Sequence, residues 1–371
     1  MVEVPIKVVH ITTVHPRDDV RIKVKFANSW AALGPTELIV CDGLPDETID
    51  GIRIHGLHKR SSRPARMLLA PLDCLRLLLR KNDRCVVHLH DPELLLVALF
   101  MRWAGYKVVF DLHEDLIDQV ISKPYLHRHV AKMISLGLRL VYPILLRTAN
   151  AHIAATSAIS ESYSWRVGRS IPVVYNYVLR SETRDPGSYA PESQTLVYSG
   201  EITEIRGIWR MLAISEALPE GWRMVLCGRF RTDALLAKCQ KHPGWARIDY
   251  RGYVSRTEVR QIYEQAACGL VLFDKQPNHM DSLPNKLFEY MGNSVPCITT
   301  NIPRWKDLVE ENDVGICVPS EDDAAMLEQI TAYLADPQWR ARHANNGASL
   351  VREKYTWEPE FEKYAAFVQS F

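Results

Sequence analysis

The stretch that decides the fold is DSLPNKLFEYMGNSVPCITT, residues 281–300. A polar loop runs into Pro284, a residue suited to a first helical turn because the N–H it lacks would go unpaired there. The spacing predicts a short helix over 284–292, ended by Gly292 and Asn293. On it Lys286 and Glu289 stand three apart on one face, and Leu287, Phe288 and Met291 form the apolar stripe. Residues 295–300 then read as a buried strand. The first turn aims free N–H groups and the positive end of the helix dipole at whatever precedes residue 283, and Lys286 adds a full charge. One turn on, Glu289 can accept hydrogen bonds from hydroxyls. A nucleotide sugar, with phosphates at one end and a polyhydroxyl ring close by, would satisfy both. Taken alone, the stretch fits an ordinary capped helix with a surface Lys–Glu pair equally well.

Outward from this unit, apolar β-rich runs alternate with helical patterns along all 371 residues, which argues for parallel α/β architecture and a length suited to two domains. Expected strands are 7–13, 36–41, 52–57, 85–90, 107–113, 152–156 and 173–176, then 196–200, 224–228, 246–250, 269–273, 296–300 and 315–318. A polar linker at 179–194 with Pro, Gly and Ser separates the two sets. Two such domains in tandem, each binding at the carboxyl ends of its strands, place the expected site in a cleft between them.

The chain carries a net charge of +1, but residues 1–190 hold 25 Lys and Arg against 19 Asp and Glu, and the remainder is correspondingly acidic. The basic half is therefore expected to face something anionic. Eight scattered cysteines without a C-x-x-C read as reduced core residues of a cytosolic protein. Neither an export leader nor a membrane span of eighteen apolar residues is expected. Basic residues are not interleaved with aromatics in a nucleic-acid-binding pattern.

The 281–300 segment resembles the donor-site signature of family 4 glycosyltransferases, the retaining GT-B enzymes of the group 1 type, in the branch that carries P-N-K-L-F-E-Y-M. Most of that superfamily shows two glutamates separated by seven residues; here Glu289 is the second and Asp281 stands at the first position. The resemblance implies an α/β chain of GT-B fold with two Rossmann-like domains. Residues 1–180 would bind the acceptor and 181–355 the nucleotide sugar, with 356–371 a helix crossing back to the first domain.

Residue by residue, YSGEITEIRGI (198–208) resembles the family's G-R-x-x-x-x-K-G turn. Gly200 would let the backbone approach a phosphate, and Arg206 would supply charge where Lys or Arg is usual. Glu201 replaces a frequent Arg, which leaves Arg206 and Lys286 as the diphosphate clamp. Gly228 and the 252–254 loop with Tyr253 fall where the base packs. Leu283, Asn285 and Glu289 complete the donor set with Asp281. His113, after a strand ending FDLHEDL, takes the place of the histidine that contacts the donor sugar near the reacting carbon. On the acceptor side the resemblance offers His15, Asp19 and Arg21 in the loop VHPRDDVRIK, and His90 in VHLHDPE. For the loop, a reading in which Asp19 caps the next helix and pairs with Arg21 is equally open. Zinc on His88, His90 and His113 would lack a fourth ligand of recognisable spacing, and no metal site or cofactor is expected.

The function expected is retaining transfer of a sugar from a nucleoside diphosphate to a growing, polyprenyl-linked or other lipid-linked glycan. It would need no Asp-x-Asp metal motif, and none occurs in the sequence. Basic amphipathic patterns at 58–84 and 123–147 suggest peripheral contact with an anionic membrane at the inner face, although ordinary sheet-packing helices show the same pattern. The departures at Glu201 and Asp281 keep open a non-catalytic subunit that binds nucleotide sugar or glycan. A soluble enzyme acting on small acceptors is the other alternative.

Overall fold

A computed structural model describes residues 6–81, 83–114, 116, 128–190, 192–280 and 282–371. They form two compact units, one of residues 1–176 with Trp357–Phe371 and one of Tyr177–Thr356. Asp281 and most of the 115–127 segment lie outside the described residues.

The first unit is built on a seven-stranded sheet: β1 (Val8–Thr12), β2 (Thr36–Val40), β3 (Glu47–Ile49), β4 (Ile52–Gly56), β5 (Val86–Leu89), β6 (Lys107–Leu112) and β7 (Ala151–Ala154). Their spatial order is β3-β4-β2-β1-β5-β6-β7. All neighbours are parallel except the β3–β4 hairpin at the edge. β1, β2 and β5 are buried along their whole length, the reason they read as continuous apolar runs rather than alternating ones. The short β3 has no apolar pattern and did not show in the sequence. The expected strand at 173–176 is reduced to one bridge, Ala154 with Val173.

The second unit holds β8 (Thr195–Ser199), β9 (Arg223–Cys227), β10 (Ile248–Gly252), β11 (Cys268–Val271), β12 (Cys297–Thr300) and β13 (Gly315–Val318). They are arranged β10-β9-β8-β11-β12-β13, all parallel. In both sheets the chain starts at a central strand, builds one way, then returns to build the other. The order therefore switches between β1 and β5 and between β8 and β11. Neighbouring strand ends there lead their loops apart, and a crevice opens at the carboxyl edge.

The segment 179–194 is packed rather than a free linker. Arg184 N–H donates to Gly292 O at 2.7 Å, Ser294 Oγ to Asp185 O at 3.3 Å, and Tyr189 OH to Ala267 O at 2.9 Å, all inside the second unit. The last helix, Trp357–Gln369, belongs to the first unit. Trp357 Nε1 donates to Ser29 Oγ at 2.9 Å, and Glu360 accepts from Tyr175 N–H at 3.0 Å. The Tyr364 hydroxyl lies 2.9 Å from His88 Nδ1, and the Phe26 ring meets both Trp357 and Tyr364 edge-on. The eight cysteines are all unpaired thiols, six of them buried.

Candidate functional site

In the second unit the helix Asn285–Gly292 follows β11 and the short helix Pro277–Met280. Pro284 sits at its N-cap, with φ −62° and ψ 136°, one residue before the first turn where the sequence placed it. No side chain caps this end, and Trp305 Nε1 fixes the incoming loop by donating to Ser282 O at 2.7 Å. Leu287, Phe288, Tyr290 and Met291 are buried, so the helix is locked in rotation with Lys286 and Glu289 on its partly exposed face. Lys286 Nζ donates to Glu289 Oε2 at 2.6 Å.

At the end of β8, Gly200 has φ +138°, a conformation L side chains rarely adopt. A Cβ built there would stand 3.4 Å from Lys286 Cε and 3.6 Å from Arg206 Nη1. Two cations from different loops thus converge on one bare stretch of backbone. Arg206 closes a short 3₁₀ turn, Glu204–Arg206, and its own N–H donates to Thr203 Oγ1 at 3.3 Å. Its guanidinium lies 5.7 Å from the Phe273 ring centroid and 4.0 Å from Glu201, so Glu201 stands where it partly offsets that charge. Gly228 serves close backbone approach: a Cβ there would fall 1.8 Å from Gly200 O. Tyr253 is exposed, and the Arg229 guanidinium sits 4.9 Å over its ring. Leu283 is half-buried against the core and Asn285 is exposed.

Two groups here, Tyr263 and Arg229, escaped the sequence reading. Tyr263 is fully buried, and its hydroxyl donates to Glu289 Oε2 at 3.3 Å and is paired with Ser199 Oγ. Burial, then the Glu289 charge, pushes the Tyr263 phenol well above its ordinary range, so it stays a donor. Arg229 has no motif to announce it, and no spacing links Tyr263 to a residue 26 positions on.

In the first unit, polar side chains cluster at the carboxyl ends of β1, β5 and β6. Asp111 is fully buried and held by Arg21 through Nε and Nη2, each at 2.8 Å. Burial opposes its ionisation, but the Arg21 charge and hydrogen bonds hold the carboxyl well below the usual carboxylate range. His90 Nδ1 approaches Asp111 at 3.3 Å and His113 Nδ1 at 3.6 Å. His113 is raised from its ordinary value: burial alone would lower it, and Asp111 outweighs burial.

Arg21 and His90, read as acceptor-binding, are committed to this interior network, and His90 has no exposed surface. Asp19 accepts from Arg21 N–H and Ile22 N–H at 2.9 Å and caps the helical segment Val20–Ala27. The capping alternative is thus what the structure shows, with Arg21 paired to Asp111 rather than to Asp19. An aspartate inside the apolar run VVFDL was the signal for a buried cation.

His15 is partly exposed and sits 3.1 Å from Asp91 through Nδ1, with its ring edge-on to His113 at 5.3 Å. His10, His88 and His90 form a buried group in which His10 Nδ1 and His90 Nε2 are 3.1 Å apart. Burial lowers all three below the ordinary histidine value, so they are neutral rings. Their potential ligand atoms all lie within 4.8 Å of one another, three imidazoles that could hold a metal ion. The set His88, His90 and His113 is not what the fold brings together; His10 takes the third place.

Residues 193–336 match the family model described as glycosyl transferases group 1. The capsular polysaccharide biosynthesis glycosyltransferase CapM of Staphylococcus aureus is 29% identical over 97 residues, 25% of this chain and 26% of that protein. The chain therefore aligns with only about a quarter of this curated relative. Sucrose-phosphate synthase from Thermosynechococcus elongatus superposes with a TM-score of 0.76 at 15% identity, covering 98% of both chains. Anabaena HepE, solved with UDP and glucose, gives 0.73 at 12% identity over 99% of this chain and 100% of its own. At such identities the likeness is one of fold. Residues 193–336 are thus similar to the glycosyl transferases group 1 family, and the two Rossmann-like units are those of the GT-B fold.

Proposed function

We propose that the protein is a retaining glycosyltransferase that moves a sugar from a nucleoside diphosphate to a hydroxyl of a growing, lipid-linked glycan. The observation that carries this reading is the convergence of Lys286 and Arg206 on the bare backbone of Gly200, one helical turn from Glu289. In this reading the donor's diphosphate displaces the Lys286–Glu289 pairing. Lys286 and Arg206 neutralise the departing phosphate, aided by the first-turn N–H groups of Asn285–Gly292. Glu289, held by Tyr263, accepts from ribose hydroxyls, and the Arg229–Tyr253 pair flanks the base. With two cations on the leaving group, no divalent ion is required of this chain. His113 contacts the donor sugar.

The acceptor hydroxyl attacks the anomeric carbon on the face the diphosphate leaves. One C–O bond to phosphate breaks, one C–O bond to the acceptor forms, and the hydroxyl proton passes to the departing phosphate oxygen. Asp281, expected to hold the sugar's hydroxyls, is outside the described residues.

A membrane-bound acceptor is supported by the surface of the first unit. The helices Arg63–Lys81, Leu95–Trp103 and Arg128–Leu146 are neighbours and leave Leu68, Phe100, Trp103, Leu136, Leu140 and Ile144 more than half exposed. Arg63, Arg76 and Arg80 on the first of them suit an anionic surface. Among the described residues no helix is long and apolar enough to cross a membrane.

The test is a thermal-shift panel of UDP-, GDP-, ADP- and dTDP-sugars without added metal, against wild type and Lys286→Ala. Stabilisation by one nucleotide class that vanishes in the variant supports the reading. Absence of any shift, with or without metal and lipid, removes it in favour of a partner-binding subunit.

A further inference from the structure

The loop after β1 carries an arrangement that the transfer chemistry does not use. Asp91, at the end of β5, is 2% exposed and entirely taken up by that loop. Its Oδ2 accepts from Thr12 Oγ1 at 2.7 Å, Thr13 N–H at 2.6 Å and Val14 N–H at 3.3 Å, and its Oδ1 faces His15 Nδ1 at 3.1 Å. Thr12 Oγ1 closes the ring of contacts at 3.2 Å from the same His15 nitrogen. Next to it Thr13 Oγ1 donates to Glu93 Oε1 at 2.9 Å, and Arg66 lies 3.5 Å from that carboxylate. Every one of these bonds fixes the β1 loop, and hence the His15 ring plane. With Nδ1 engaged, Nε2 remains on the opposite ring edge of a side chain that is 27% exposed.

We propose that Asp91 is a positioning residue that fixes His15 as an Nε2–H donor to the acceptor, beside the corresponding Asp111–His113 pair. The proposal rests on the glycosyltransferase reading and adds an aspartate-braced imidazole to its acceptor side. The groups facing His15 are Asp91 from the end of β5, Asp19 from its own loop, and Glu114 and His113 from the end of β6. Burial alone would lower the imidazole, but the Asp91 hydrogen bond and charge, then Asp19 and Glu114, raise it to about 9. Burial likewise opposes ionisation of Asp91, and His15, Thr12 and the Thr13 N–H bring it down to about 2. Both shifts have the same sense, an ion pair at neutral pH. His15 is therefore a hydrogen-bond donor across the physiological range and does not act there as a general base.

The direct test is a pH titration of the His15 ring by NMR in histidine-labelled enzyme, with Asp91→Asn and His15→Gln for assignment and comparison. At pH 8 the wild-type ring should favour the protonated form roughly tenfold; an Asp91→Asn ring at the ordinary value of about 6.5 should favour the neutral form roughly thirtyfold. Diethylpyrocarbonate, which acylates neutral imidazole, should correspondingly spare His15 at pH 7 in wild type and label it in Asp91→Asn. Transfer from the nucleotide sugar selected by the thermal-shift panel, onto a total lipid extract, should lose kcat/KM above about pH 9 in wild type. That limb should fall at lower pH in Asp91→Asn and disappear in His15→Gln. A wild-type His15 that titrates near 6.5, or a limb unchanged in His15→Gln, overturns the proposal. If Asp91→Asn does not fold, the wild-type titration and His15→Gln still decide it. If no nucleotide sugar is turned over, the activity fails while the NMR arm still tests the dyad.

Discussion

Replacing Arg21 by Met tests how the first unit is held together at its site. The guanidinium donates twice to Asp111 at 2.8 Å and once to Val174 O at 3.2 Å, and lies 5.0 Å over the Phe26 ring. Met preserves most of the side-chain volume but leaves a fully buried carboxylate whose neighbours among the described residues include the His90 ring at 3.3 Å and the His113 ring at 3.6 Å. Breaking a buried pair in this way costs about 3–5 kcal/mol, most of it the uncompensated charge rather than the lost attraction.

The pH dependence has a defined sign. In wild type the Asp111 pKa is depressed, so its stabilisation is present above the unfolded value of about 3.9 and is lost only as pH falls through the folded value. In Arg21→Met the same carboxyl is raised by burial and takes up a proton as pH falls, so the gap between variant and wild type narrows towards pH 5. Urea unfolding followed by tryptophan fluorescence measures this. With a slope of roughly 2 kcal/mol per molar urea, the transition of the first unit should move down by roughly 2 M at pH 7.5. The double variant Arg21→Met/Asp111→Asn should recover much of the loss, because no charge is then stranded. A shift under about 0.5 M at pH 7.5, or a double variant no more stable than the single one, would refute the reasoning.

Three further outcomes are expected. Gly228→Ala forces a Cβ to within 1.8 Å of Gly200 O at a φ of +135°, so the β8 and β9 loops must separate and nucleotide affinity should fall more than about tenfold by calorimetry, with unfolding of the first unit unchanged. Tyr263→Phe removes the donor to Glu289; stability should drop by about 1 kcal/mol in urea, and donor KM should rise several-fold with kcat nearly kept. Trp103→Ser combined with Phe100→Ser should weaken sedimentation with phosphatidylglycerol vesicles at least several-fold, and 0.5 M salt should weaken wild-type binding because the basic contribution is screened.

The sheet architecture was legible because buried parallel strands leave runs such as VVHIT and TELIV that alternation cannot explain, and twelve of the thirteen strands among the described residues were located within a few residues. The exception, β3, is three residues of Glu, Thr and Ile that pair only at an edge. Lys286 and Glu289 were singled out because a helix start has a local signature, and Gly200 and Arg206 because their turn resembles the family's; the fold brings Lys286 and Arg206 to one backbone position.

The loop 14–23 was read less well. Its Asp19 and Arg21 were offered to an acceptor sugar, with a helix cap and a local pair between them equally open; Asp19 does cap the helix, while Arg21 reaches across to β6. Long-range pairing between side chains leaves no trace in spacing. The same reason hid Asp91 as the partner of His15, 76 positions away, and Tyr263 as the partner of Glu289.

The central claim is that the second unit holds a nucleoside diphosphate on Gly200 with Lys286 and Arg206. Isothermal titration of the nucleoside diphosphate found in the panel into wild type, Lys286→Ala and Arg206→Ala tests it most directly. A charge-assisted phosphate contact worth about 1.5–3 kcal/mol predicts a loss of roughly ten- to a hundredfold in affinity for each variant. The loss should be largest at low ionic strength, with the melting temperature of the ligand-free protein kept. Affinity unchanged in both variants, with the nucleotide still bound, would place the donor elsewhere and contradict the account.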